Sequence, residues 1–124
     1  GADPGWFEAQ YNLGLAAYEL RDYGTALTAF EAASKINPTN TDAIYGFALV
    51  LRDAGYPSDA VVQLQRMLAL DPSDVRAHLA LGNLYALRLG DKAKARSHYT
   101  RVLELAPGHP RADAIKRWLM QNGP

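Results

Sequence analysis

The chain contains three histidines, His78, His98 and His109, the side chains best suited to proton transfer or metal binding near neutral pH. Such chemistry needs an acid or a second ligand spaced to reach the imidazole, and the three histidines look isolated along the sequence. Glycine-rich phosphate-binding motifs and the nucleophile turn of hydrolases are also absent from the sequence. We therefore expect no enzymatic activity, no metal site and no cofactor, and we interpret His78 as a half-buried packing residue.

The composition excludes several other kinds of function. None of the 124 residues is a cysteine, so disulfides and thiolate metal sites are excluded. Hydrophobic residues make up 48% of the chain, enough for a buried core, yet no apolar run approaches the roughly 18 residues of a membrane span. The net charge is zero, so no overall field favours nucleic acid or a membrane surface.

Charge is nevertheless distributed unevenly along the chain. Residues 1–74 carry ten acidic and four basic residues, whereas residues 75–124 carry nine basic and three acidic residues. No aromatic residues alternate with the basic cluster in a way that would stack nucleic-acid bases, so we expect no nucleic-acid partner. An acidic partner and a solvated helix face are the two interpretations of the cluster that the sequence leaves open. The cluster consists of Arg88, Lys92, Lys94, Arg96 and Arg101.

One stretch of sequence recurs at a fixed interval. Ala26–Pro38 returns as Ala60–Pro72 and as Ala95–Pro107. Each copy begins with alanine, has an aromatic residue or leucine four positions later, and ends with proline. The prolines are 34 and then 35 residues apart, an interval that indicates a stacked array of helical repeats.

Apolar residues at three- and four-residue steps predict helices and no strands. Asp22 is well placed as an N-cap, and each proline that closes a copy ends a helix. Because the connecting turns are short, consecutive helices must lie antiparallel. The predicted helices are Trp6–Leu20, Tyr23–Ile36, Thr41–Ala54, Pro57–Leu70, Asp74–Leu89, a helix that ends at Leu105, and Pro110–Gln121.

These units resemble the tetratricopeptide repeat, whose pattern is W-x2-L-G-x2-Y, then A-x3-F, then P. The second copy is looser than the other two. The matching residues are Leu13-Gly14, Ala26, Phe30 and Pro38 in the first copy, Ile44, Phe47-Ala48, Leu51, Ala60, Leu64 and Pro72 in the second, and His78, Leu81-Gly82, Tyr85, Ala95, Tyr99 and Pro107 in the third.

The resemblance implies an all-α fold, a right-handed α-solenoid of antiparallel helix-turn-helix repeats with about seven helices. We expect repeats at residues 6–40, 41–74 and 75–109, followed by a C-terminal capping helix at residues 110–122. Residues 1–5 would be a tag remnant or the end of a preceding repeat. Asp3-Pro4 lies 34 residues before Asn37-Pro38, so we hypothesise that the chain is an excerpt of a longer protein.

Two glycines inside predicted helices need an explanation, because glycine there costs about 0.5–1 kcal/mol relative to alanine. We expect Gly14 and Gly82 to allow a close approach of Ala26 and Ala95 within the same repeats. In the first helix, we expect the buried face to consist of Ala9, Leu13, Ala16, Ala17 and Leu20.

In tetratricopeptide proteins the first helices line a concave face, and the resemblance implies that a partner protein or peptide binds there. Tyrosine suits such recognition because it joins a large apolar ring to a polar tip. An alternative is that some of these aromatic rings only fill space between adjacent first helices. The predicted binding residues are Tyr11, Asn12, Leu15 and Tyr18 in the first repeat, Tyr45, Leu49 and Arg52 in the second, and Leu79, Asn83 and Leu87 in the third.

The resemblance also argues against one subclass of the family, which clamps a C-terminal carboxylate with Lys, Asn and Arg. The corresponding positions here are Tyr11, Leu15, Gly46, Arg76 and Ala80. We therefore predict a protein-interaction module that binds a peptide or helix in the groove. The alternative is a scaffold that self-assembles into a homo-oligomer through head-to-tail contacts between its acidic and basic halves.

Overall fold

The computed structural model describes residues 4–123 and contains seven α-helices and no strand within that range. Its residues fall into two compact units, an N-terminal unit up to Leu70 and a C-terminal unit from Asp71 onward. The helices are α1 (Pro4–Glu19), α2 (Tyr23–Ile36), α3 (Thr41–Asp53), α4 (Pro57–Leu70), α5 (Val75–Leu87), α6 (Lys92–Leu105) and α7 (Ala112–Gln121). The predicted all-α fold is therefore confirmed.

Most helix boundaries lie within two residues of the predictions, and α2 and α4 coincide with them. The last helix differs, because α7 begins at Ala112 and Pro110 lies in the preceding turn. His109 Nδ1 accepts a hydrogen bond from the backbone N–H of Arg111 at 3.0 Å, which stabilises that turn. Asp3, part of the hypothesis about a preceding repeat, lies outside the described residues.

Polar side chains fix where the helices start. Asp22 accepts a hydrogen bond from the backbone N–H of Thr25 at 3.2 Å, which confirms it as an N-cap. Asn40, Asp74 and Asp91 cap α3, α5 and α6 in the same way. Each cap satisfies a backbone N–H that has no partner within its own helix.

Two turns between paired helices share one backbone device, a left-handed residue that reverses the chain. Arg21 has φ 60° and Gly55 has φ 95°. In both turns the next residue donates its backbone N–H to a carbonyl five positions earlier, from Asp22 to Ala17 at 2.8 Å and from Tyr56 to Leu51 at 2.7 Å. This bond closes the helix end, and glycine adopts the required conformation without the penalty that a side chain brings.

The core of the N-terminal unit is organised around the ring of Phe30 on α2, which is 1% exposed. Gly14 of α1 and Gly46 of α3 both lie against this ring. A Cβ atom on Gly14 would lie 2.8 Å from a ring carbon of Phe30, and one on Gly46 would lie 2.7 Å away. The prediction that Gly14 makes room for Ala26 is therefore wrong, because the aromatic ring is what requires the glycine.

The C-terminal unit repeats this arrangement with Gly82 of α5 and Tyr99 of α6. A Cβ atom on Gly82 would lie 2.6 Å from the Tyr99 ring, so here too the ring and not Ala95 explains the glycine. The edge of the Trp118 ring of α7 packs on Tyr99 with ring centroids 5.1 Å apart. Ala112 and Ile115 complete the buried side of α7.

The predicted buried face of α1 is mostly wrong. Leu13 is 47% exposed and Leu20 is 80% exposed, and of the predicted set only Ala17 is buried. The reason is that α1 packs on α2 and α3 through Gly14 and Ala17, with no helix of the N-terminal unit covering the Leu13 side in the described residues. Along residues 4–123, no helix is both long enough and apolar enough to cross a membrane.

We predict that Gly14→Ala lowers the free energy of unfolding by about 1–3 kcal/mol, because the new methyl group overpacks the Phe30 ring. In a Phe30→Leu background the same change should cost little, since the second repeat already pairs Ala48 with Leu64 at the corresponding positions. Chemical denaturation of both single variants and the double variant measures this coupling. The control is Gly24→Ala, whose exposed site in α2 has room for a methyl group and should gain stability. Equal losses from Gly14→Ala in both backgrounds would contradict the ring-and-glycine interpretation.

We further predict that Arg21→Gly raises the free energy of unfolding by about 0.5–1 kcal/mol, because glycine removes the left-handed penalty at an exposed position. The matched control is Gly55→Ala, which should lose about 1 kcal/mol although nothing lies within 4 Å of the added methyl group. Thermal and chemical unfolding of the two variants test the pair. A destabilised Arg21→Gly variant would show that the Arg21 side chain, and not its backbone, stabilises the turn.

Candidate binding surface

The predicted binding residues of the first two repeats lie on α1 and α3, neighbouring helices of the N-terminal unit. Asn12 and Leu15 are exposed, with Leu15 at 41%. Tyr45 and Leu49 are half-buried on α3. We call these four residues the α1/α3 surface; three of them are apolar or aromatic and none of them is charged.

Tyr11 and Tyr18 are half-buried and pack against the core of the same unit. Tyr11 stacks on Phe7 with ring centroids 5.8 Å apart, and the edge of its ring meets Phe30 at 5.9 Å. Tyr18 lies tilted against Tyr23 at 6.1 Å. Both rings therefore pack within α1 or against α2, whereas the alternative placed such aromatic rings between adjacent first helices.

Tyr18 of α1 and Arg52 of α3 both form hydrogen bonds to Asp53, which is the last residue of α3. The Tyr18 hydroxyl donates a hydrogen bond to Asp53 Oδ2. Arg52 donates from Nε to Asp53 Oδ1 at 2.8 Å and from Nη2 to Oδ2 at 3.2 Å. Burial, followed by the hydrogen bond to Asp53, raises the pKa of Tyr18 to about 12, so the phenol remains a neutral donor near neutral pH. No local pattern in the sequence marks Asp53, since its role depends on Tyr18, 35 positions earlier.

The third predicted row belongs to α5 of the C-terminal unit. Leu87 is 74% exposed, and Leu79 is half-buried. Asn83 accepts a hydrogen bond from the Tyr99 hydroxyl at 2.6 Å, so its side-chain oxygen is already engaged within the unit. The row therefore combines two apolar side chains with an amide that already accepts one hydrogen bond.

The expectation that all three histidines are isolated is wrong. The Nδ1 atoms of His78 and His98 lie 3.1 Å apart. The two residues are 20 positions apart but lie on the antiparallel helices α5 and α6, and a linear reading of the sequence does not reveal such a pair. His78 is 8% exposed and is thus buried, where a half-buried residue was expected.

The structure also contains a cleft that no motif in the sequence indicates. It has a volume of about 660 Å³ and opens between α2 and α4 in the N-terminal unit. Phe47 and Leu51 of α3 form part of its lining, together with two acids and two bases, so the cleft has no dominant charge. These charged residues are Glu31, Lys35, Asp59 and Arg66.

The chain is similar in sequence to known repeat proteins. Models of the tetratricopeptide repeat family match residues 7–40 and residues 45–110. The chain is 29% identical over 97 residues to the protein O-mannosyl-transferase Tmtc3 of Drosophila melanogaster, which covers 78% of this chain and 10% of that protein. It is 34% identical over 85 residues to the TPR repeat-containing thioredoxin TTL4 of Arabidopsis thaliana, which covers 68% and 12%. The chain thus spans about a tenth of the length of these relatives.

Solved structures agree on the fold. The first tetratricopeptide domain of Spaghetti (RPAP3), bound to the HSP90 peptide SRMEEVD, superposes with a TM-score of 0.85 at 19% identity. The superposition covers 97% of this chain and 95% of that one. One family model alone matches more than half of the chain, across the second and third copies of the recurring sequence. The chain therefore belongs to the tetratricopeptide repeat family.

Proposed function

We propose that this chain is a protein-interaction module that binds a peptide or helix of a partner on the α1/α3 surface. The observation that carries the proposal is that Leu15 and Asn12 are exposed on α1, and that Tyr45 and Leu49 are half-buried on α3. Both helices pack against the ring of Phe30 on their core side. Apolar side chains beside a few hydrogen-bonding groups are what a peptide-binding surface requires. The solved relative that carries an HSP90 peptide supports the same class of function.

The rigidity of the two helices supports this proposal. A surface that is already ordered loses little conformational entropy when a partner binds. Phe30 holds α1 and α3 from the core side, and the hydrogen bond from Tyr18 to Asp53 ties the ends of the same helices together. On the C-terminal unit, we propose that Leu79, Asn83 and Leu87 have the equivalent role. We propose no catalytic role for any of these residues.

We predict that Leu15→Glu weakens peptide binding at least about tenfold without lowering the melting temperature, because a charge replaces an exposed apolar contact. Peptides selected from a displayed random library against the unmodified protein serve as the probe, and calorimetry measures their affinity. The matched control is Leu13→Glu. Leu13 has a similar exposure of 47% but lies on a different face of α1.

Three outcomes distinguish the possibilities. Loss of binding in Leu15→Glu alone supports the α1/α3 surface. Loss in Leu13→Glu alone would move the binding site to the other side of α1. A library that yields no peptide sensitive to Leu15→Glu would refute the proposed surface.

A second candidate function is self-association, which the uncovered side of α1 favours. Trp6, Leu13 and Leu20 are 63%, 47% and 80% exposed and lie at helical spacing. The residues 34 positions later, Asn40, Phe47 and Ala54, are all half-buried. An apolar helix face of this kind, together with acidic and basic halves in the sequence, would suit a head-to-tail contact between copies.

If copies associate in this way, we predict a mass above that of a monomer at low salt and a smaller mass at high salt, since screening weakens the attraction between charged halves. Light scattering across a range of concentration measures the mass. Leu20→Glu should return the protein to a monomer, whereas Leu15→Glu should leave the association unchanged. A monomeric mass at every salt and protein concentration excludes this candidate.

A further inference from the structure

A histidine pair that the proposed binding function does not use lies between α5 and α6. The imidazole of His78 is buried and that of His98 is half-buried, and their Nδ1 atoms are 3.1 Å apart. The ring centroids lie 5.3 Å apart, close to the nitrogen separation plus the two ring radii, so the two nitrogens point at each other nearly along one line. This is the geometry of one N–H···N hydrogen bond. A shared metal ion would instead need both lone pairs to converge on a third point.

The surroundings of His78 determine where the protons are. His78 Nε2 lies 2.8 Å from the carbonyl oxygen of Pro72, and a carbonyl can only accept a hydrogen bond. Nε2 of His78 must therefore carry a hydrogen, which leaves the Nδ1 of a neutral His78 as an acceptor. His98 must then donate from Nδ1, and its Nε2 is the unprotonated nitrogen of the neutral pair.

This arrangement accommodates one additional proton but not two. A first proton on His98 Nε2 leaves the N–H···N bond intact and makes it charge-assisted. A second proton can go only to His78 Nδ1, where two N–H groups would then face each other at hydrogen-bond distance with no acceptor between them. The pair must separate to relieve this repulsion, and α5 and α6 then lose their polar connection at this point.

Little negative charge is available to stabilise an imidazolium here. The carboxylates near the pair are already engaged, since Asp71 accepts from Ser73, Asp74 pairs with Arg76, and Glu104 pairs with Arg101. The Tyr85 ring stacks on His98 at 5.9 Å and carries Lys94 Nζ at 5.4 Å from its centroid. The charged groups on the segments around the pair are Asp71, Asp74, Arg76, Lys94, Arg96, Arg101 and Glu104, and none of them is bonded to either imidazole in the described structure.

We propose that the His78–His98 pair is a proton-sensitive brace between α5 and α6, closed while it holds at most one extra proton and opened by the second. Burial, and to a smaller extent the charge of His78, lowers the pKa of His98 below its ordinary value of 6.5. The unfolded chain therefore binds protons at a higher pH than the folded chain does. The stability that the neutral pair contributes is fully present above about pH 6.5 and falls as His98 takes up the first proton, and the second proton then opens the brace.

Nuclear magnetic resonance of the nitrogen-15-labelled chain tests the brace directly. At about pH 8, we expect His78 to carry its proton on Nε2 and His98 to carry its proton on Nδ1. On acidification, His98 should take up its proton below its ordinary pKa of 6.5, because the imidazole is half-buried. The opposite tautomer at His98, or a pKa of His98 at or above its ordinary value, would overturn the proposal.

Unfolding experiments test the consequence for stability. Between about pH 7.5 and about pH 5.5, the melting temperature of the unmodified chain should fall by roughly 3–6 °C. His98→Gln should reduce this fall to less than about half, whereas the matched control His109→Gln should retain it. An undiminished fall in folded His98→Gln would refute the brace, and should that variant fail to fold, the tautomers of the two histidines and the pKa of His98 decide.

Discussion

The packing of one aromatic ring against helix backbones is the constraint on which the rest of the N-terminal unit depends. Phe30 of α2 lies against Gly14 of α1 and Gly46 of α3, and neither position has room for a Cβ atom. A single side chain therefore sets how closely two first helices approach the second helix behind them. The spacing of Leu15 and Tyr45 follows from this contact. The glycines cost helix stability locally, and the buried ring offsets that cost.

The same constraint appears in altered form elsewhere in the chain. Tyr99 takes the place of Phe30 in the C-terminal unit, lies against Gly82, and uses its hydroxyl to reach Asn83 on the side of α5. The middle repeat has Leu64 and Ala48 at the corresponding positions, a smaller side chain opposite a residue with a methyl group. At this helix crossing a smaller side chain on one helix is paired with a larger residue on the other, so the filled volume stays similar. In the C-terminal unit, Tyr99 contacts both Gly82 in the core and Asn83 in the predicted binding row.

The sequence predicted the helices well because periodicity, caps and prolines act locally. Asp22 needs only Thr25 to define the start of α2. The orientation of α1 was not predictable in the same way, because apolar residues occur on nearly all sides of this helix and periodicity cannot choose among them. Gly14 and Ala17 face the core since a ring fills the space beside them, whereas Leu13 and Leu20 remain exposed.

For the candidate surface, the residue types were predictable from the sequence, but the hydrogen bonds that their side chains form were not. Tyr18, Asn83 and His98 each have a partner on another helix, at a separation in sequence that no local pattern marks. Asp53 and the His78–His98 pair were missed for this reason. Long-range polar contacts depend on the relative rotation of packed helices, and that rotation is set by core volumes such as the Phe30 ring and not by the polar residues themselves.

The hydrogen bond from Tyr99 to Asn83 has a consequence for the hydrogen-bonding polarity of α5. The side-chain oxygen of Asn83 accepts from the tyrosine with one of its two lone pairs, whereas the NH₂ of the amide can only donate. The amide thereby keeps less capacity to accept than an asparagine without this bond. A group that bonded to Asn83 would be matched best by an acceptor, such as a main-chain carbonyl.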